Sequence, residues 1–135
     1  MPPLHIGIGN PFRRDDGVGP WLANRLAEAG LDAIAHEGDG TRLIELFADH
    51  PAIVILDASR SAATVGTAAV PACVFRYSTH RFGVAEAVGT AVALGRLPQA
   101  LTLFAIEGSD FSHGQGLTPA VTATAARLLD RLTGR

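Results

Sequence analysis

The chain has 135 residues, 47% hydrophobic and 18% charged, and a formal net charge of −2. Those values suit one globular domain over residues 1–135 with a sizeable core and exclude a disordered chain. No Lys/Arg run provides the basic footprint of a nucleic-acid binder, and no apolar stretch approaches the roughly 20 residues that span a bilayer, so neither nucleic acid nor membrane insertion is expected.

In chain order, strands and helices alternate. Met1-Pro2-Pro3 runs directly into Leu4–Ile8, a short apolar strand, without a basic or long apolar leader. Asp16–Ala29 carries Val18, Leu22, Leu26 and Ala29 at helical spacing, with Asp15 or Asp16 as the expected N-cap and Gly30 as the stop. Asp32–His36 reads as a second strand and Thr41–Asp49 as a short helix closed by Pro51. The run "AIVIL", Ala52–Leu56, is apolar on both faces, as in a central strand of a parallel sheet covered on both sides.

Gly66–Tyr77 is expected as a fourth strand, irregular near Pro71. It holds the single cysteine, Cys73, which reads as a core residue and fits a reducing cytoplasm. Val84–Leu94 is helical and Leu101–Ile106 a fifth strand. Thr118–Leu132 is a last helix with Pro119 in its first turn. The order predicts an α/β fold: a three-layer, open, twisted, mostly parallel five-stranded sheet with helices on both faces.

In such sheets ligands bind beyond the carboxyl ends of the strands. "GIGNPF" offers two glycines of a dinucleotide fingerprint, but its third position is Phe12, and Asp15-Asp16 would face a pyrophosphate with like charge. The chain has no lysine and hence no P-loop, and no nucleophile elbow or H-E-x-x-H helix. Asp16, Asp57 and His80 come from three separate loops, all expected on one rim. Capping roles would explain each of them singly. Together, two carboxylates and an imidazole form a set suited to a divalent ion such as nickel, zinc or manganese, with positions left for water or substrate. On that reading the first turn holds a cation.

The pattern resembles the nickel–iron hydrogenase maturation endopeptidases. The matching residues are "GIGNPFRRDDGVGP" (7–20), "GDGT" (38–41), "ILDAS" (55–59), "STHRFG" (78–83) and "GLTP" (116–119), spread over essentially the whole chain. The resemblance implies a single maturation-protease-like domain and one endoproteolytic cut. That cut removes a C-terminal extension from the hydrogenase large-subunit precursor after nickel insertion. It places the metal contacts on Asp16, Asp57 and His80, with the nickel supplied by the precursor; other divalent ions are expected to bind in vitro. Relatives commonly carry D-G-G-T-x-G in the second loop with a leading aspartate proposed to take part in cleavage. Here the run is Glu37-Gly38-Asp39-Gly40-Thr41-Arg42, which shifts the carboxylate to Asp39 or Glu37.

Asp16 and Asp39 are therefore the expected catalytic carboxylates, and Gly7, Gly9, Asn10 and Thr41 the expected substrate-binding positions. His113 reads as a polar loop residue, Arg13 and Arg14 as solvated charges. Two other readings stay open: another metal-dependent hydrolase on the same fold, and a non-catalytic nickel- or precursor-binding maturation factor.

Overall fold

The computed structural model describes residues 2–37, 39–59, 66–69 and 84–134. Four strands, β1 (Leu4–Ile8), β2 (Ala33–His36), β3 (Ala52–Ser59) and β5 (Ala100–Glu107), form a parallel sheet. A short β4 (Gly66–Ala69) pairs antiparallel with β5, giving the order β2-β1-β3-β5-β4. The rest of the expected fourth strand, including Cys73, lies outside the described residues, as does His80.

Alternation along the strands sends successive side chains to opposite faces, and each face has its own helices. Leu4, Ile6, Ile8, Ile53, Ile55, Leu101 and Leu103 pack under α2 (Gly40–Asp49) and α3 (Val84–Ala93). Val54, Leu56, Ala58, Phe104 and Ile106 pack under α1 (Val18–Glu28) and α4 (Pro119–Thr133). β3, apolar on both sides, is buried in both layers, as its sequence requires. His5 is the polar exception within β1. It is 4% exposed, its Nδ1 lies 3.0 Å from the Asp32 carbonyl, and burial holds its pKa below the ordinary 6.5.

One expectation fails at the start of α1. Neither aspartate caps it: Arg14–Gly17 forms a 3-10 turn, and Gly17 is the N-cap with no side-chain bond. Adjacent residues in a 3-10 turn point about 120° apart, so Asp15 and Asp16 diverge. Both carboxylates are engaged elsewhere, as described below.

From β1 the chain crosses by α1 to β2 on one side, then by α2 back over β1 to β3 on the other. The strand order therefore reverses between β1 and β3, which opens a crevice at their carboxyl ends. The N-terminal turn of α1 closes tightly onto this point. A Cβ at Gly19 would lie 2.3 Å from the Ile8 carbonyl oxygen and 2.7 Å from that of Leu56. A Cβ at Gly7 would lie 2.0 Å from the Gly19 carbonyl oxygen.

These obstacles are backbone atoms that cannot swing aside. Gly19→Ala is expected to lower stability by about 3 kcal/mol, with a fall in Tm on the order of 10 °C. Gly89, inside α3 and with nothing within 4 Å of an added Cβ, is the contrasting case. Gly89→Ala should raise stability by roughly 0.5–1 kcal/mol. Urea unfolding of the two variants measures both.

Candidate functional site at the carboxyl rim

The loop after β1 is built around the two aspartates. Asp15 is fully buried, and its carboxylate is saturated. Oδ2 accepts from the backbone N–H of Ser109 at 2.8 Å and of Asp110 at 2.9 Å, and Oδ1 accepts from that of Thr118 at 2.8 Å. The hydroxyls of Thr118 and Ser109 lie 3.0 and 3.3 Å from Oδ2. Burial opposes ionisation of this carboxyl. The N–H donors of Thr118, Ser109 and Asp110 and the Thr118 hydroxyl outweigh it and hold the pKa below the ordinary 3.8. Asp15 is thus a clamp that fastens the loop after β1 to the loop between β5 and α4.

The same seam is sewn by backbone. Arg14 N–H donates to the Gly114 carbonyl at 3.0 Å, Gly114 N–H to that of Phe12 at 2.8 Å, and Asp15 N–H to that of Asp110 at 2.9 Å. Arg14 takes φ +45°, a left-handed conformation rare outside glycine, and its guanidinium lies against Gly114. Its Nε stands 3.6 Å from the Asp110 carboxylate, whose pKa is lowered first by the Ser112 hydroxyl and N–H.

Asp16 turns the other way, toward Asn10. It is half-buried, and its Oδ2 accepts from Asn10 N–H at 2.8 Å. Its backbone rests on Gly9 (φ +147°), where a Cβ would meet the Asp16 carbonyl oxygen at 1.9 Å. Asn10 in turn accepts from Phe12 N–H through Oδ1 at 2.9 Å. The Gly9-Asn10 pair therefore sets the position of Asp16, and Gly7 serves the packing of β1 on α1. Phe12 is left 59% exposed on a backbone bonded at both its N–H and its carbonyl.

Asp57 sits near the end of β3, paired in register with Ala105 and 7% exposed. It follows Leu56, whose carbonyl packs on Gly19 at the first turn of α1. The sequence pattern ends this strand at Leu56 and puts Asp57 in the loop beyond it. β3 in fact stays paired with β5 as far as Ser59, so Asp57 is a strand residue near the carboxyl end, while Asp16 lies in the turn after β1. Asp39 and Thr41 belong to the next loop: Asp39 is the N-cap of α2, its Oδ1 accepting from Thr41 N–H at 3.0 Å. His113 is exposed on the loop before α4. Among the described residues no group of three His, Cys, Asp or Glu side chains could hold a metal ion. Sequence reasoning missed the Asp15 clamp. Its only trace there was a second aspartate beside the first, with Ser109 and Thr118 far along the chain.

The architecture superposes on the endopeptidase HybD of E. coli with a TM-score of 0.83 at 22% identity, covering 98% of this chain and 90% of that one. The fold is that of the hydrogenase maturation endopeptidases. The [NiFe] hydrogenase maturation protease HybD of Thermococcus kodakarensis gives 0.76 at 23% identity, over 97% of this chain and 96% of that one. In sequence, the chain is 28% identical over 132 residues to the hydrogenase expression/formation protein HupD of Rhodobacter capsulatus, and the match covers 87% of this chain. It spans 63% of the length of that relative. No protein-family profile matches the chain. The resemblance to maturation endopeptidases read from the motifs is thus found again in both sequence and fold. Among the described residues no helix is long and apolar enough to cross a membrane.

Asp15→Asn keeps the shape of the clamp but turns an amide NH2 toward donors that need an acceptor. It should cost about 3 kcal/mol at pH 7. Because the folded pKa of Asp15 is depressed, its contribution is complete above the unfolded value of 3.8 and is lost as pH falls through the lower folded value. Urea titrations at neutral and acid pH should show the gap between wild type and variant narrowing in acid.

Proposed function

We propose that this chain is a peptidase that removes the C-terminal extension of a nickel–iron hydrogenase large-subunit precursor once nickel has been inserted. The observation that carries the reading is the pair Asp16 and Asp57 at the switch-point crevice of a maturation-endopeptidase fold. With His80, which lies outside the described residues, they form a set of oxygen and nitrogen donors suited to nickel.

In this reading the nickel arrives as part of the substrate, and the three side chains dock onto it, so that only a loaded precursor is held for cutting. The metal then serves as Lewis acid toward the scissile carbonyl or a water beside it. A carboxylate takes the proton of the attacking water, and the amine of the extension leaves protonated. Asp39 fits the proton-accepting role through Oδ2. Its Oδ1 is occupied by Thr41 N–H, and no hydrogen bond to Oδ2 occurs among the described residues. Asp16, held by the Asn10 N–H, combines the metal contact with a share in that role. Gly7, Gly9 and Asn10 act through the placement of Asp16, and Thr41 through the placement of Asp39. A soluble, cytoplasmic setting follows from the same substrate assignment.

The capping role of Asp39 favours one second reading: a maturation factor that grips the nickel-loaded precursor without cutting it. Mixing purified protein with nickel-loaded and nickel-free precursor, and following the size of the large subunit, decides between them. Shortening of the loaded form alone is expected, lost in Asp16→Ala, Asp57→Ala and His80→Ala. Asp39→Ala should slow the cut by 100-fold or more with binding retained. Equal processing of the nickel-free form would overturn the nickel-dependent reading. Binding without shortening by the wild type identifies the non-cutting factor.

A further inference from the structure

Among the described residues β2 is an edge strand, bonded on one side only. His5 N–H donates to the Asp32 carbonyl at 2.9 Å and Gly9 N–H to the His36 carbonyl at 3.0 Å. A parallel ladder uses alternate residues, so Asp32, Ile34 and His36 face β1, while Ala33, Ala35 and Glu37 turn their N–H and C=O groups outward. Ala35 and Glu37 are exposed, and Ile34 is 37% exposed. This edge borders a cleft of about 590 Å³ that takes in Gly9, Trp21, Arg25, Ala35, Glu37 and Gln115. At Gly9 the cleft meets the backbone that carries Asp16.

The charge in the cleft is uneven. Glu37 stands on the strand side. On the helix side the Arg25 guanidinium lies 3.8 Å from the centroid of the Trp21 ring. Arg25 is exposed, and no carboxylate pairs with it among the described residues, whereas Arg14, also in the cleft, is already beside Asp110. A guanidinium laid flat on an indole keeps its edge donors directed outward, in the fork that suits a carboxylate. From Gly17 to Arg25 the helix rises about 12 Å, the length of some four residues of extended chain. The cleft thus combines a row of backbone donors and acceptors and a stacked cation that have no hydrogen-bond partner among the described residues, and a connection to the aspartate site.

We infer that an extended, carboxylate-bearing stretch of the substrate polypeptide docks as an added strand on the open edge of β2, with its carboxylate on Arg25. This rests on the peptidase reading and names how its substrate is held. Backbone pairing gives such a site affinity for any extended chain, and the stacked arginine gives it a preference for acidic ones. Pairing against Ala33, Ala35 and Glu37 fixes the added strand's register beside Gly9, so that the chain leads on into the crevice.

The test uses the nickel-loaded precursor and a synthetic peptide of its C-terminal extension. Amide hydrogen exchange should show protection at Ala33, Ala35 and Glu37 on adding either. Arg25→Glu is expected to raise KM for the precursor at least 10-fold while leaving kcat nearly unchanged. Ala35→Pro removes an outward N–H without touching the ladder to β1, as edge strands tolerate, and should do the same. Thermal unfolding of both variants verifies the fold.

Cleavage by wild type with unchanged KM in both variants overturns the docking while leaving the nickel-dependent cut standing. Absence of any cleavage by wild type overturns the peptidase reading instead. Hydrogen exchange with the precursor then decides the docking by itself, and lack of protection along β2 overturns it.

Discussion

A buried carboxylate anchors the seam between two loops that lie about a hundred residues apart in the chain. Asp15 takes three backbone N–H groups from the segment between β5 and α4, a stretch with little regular structure to satisfy them. A lone charge at zero exposure would be costly, and a loop with orphaned donors would be costly too. Each cancels the other's penalty. The loop after β1 and the loop between β5 and α4 are therefore tied into one surface, and the residue after Asp15 is presented from it.

The glycines complete that platform. A strand followed by Gly-x-Gly suggests a turn made to admit a phosphate. Here the close approach is made by the protein's own backbone. Gly7 and Gly19 let α1 settle against β1 and β3, and Gly9 lets the Asp16 carbonyl rest where a side chain would stand. The result is a crevice narrowed from one side by a helix start. Among the described residues the Asn10 N–H is the donor that reaches the Asp16 carboxylate, and it orients it.

The two neighbouring aspartates show how position divides labour between identical side chains. Either could have served as the single cap of an α-helix start. In the 3-10 turn Arg14–Gly17 they diverge instead, Asp15 to the bond network with Ser109, Asp110 and Thr118 and Asp16 to the Asn10 N–H. Asp39 is tied locally in the same way, with Oδ1 capping the start of α2.

Much of the fold was legible because it follows from periodicity. The run "AIVIL" could only lie between two layers, and helical spacing from Val18 to Leu26 could only cover a sheet, so alternating elements led to a parallel sheet with helices on both faces. The same logic underlies the expectation that Asp16 and Asp57 share one rim, since the carboxyl ends of β1 and β3 flank the place where the strand order reverses. What periodicity could not convey was direction within a turn. Whether Asp15 looked in or out depended on Ser109, Asp110 and Thr118, about a hundred residues away, whose N–H groups became partners only when the chain had folded. Local sequence carries local geometry; a bond network across such a separation exists only in the assembled molecule, because its donors and acceptor share no neighbourhood until then.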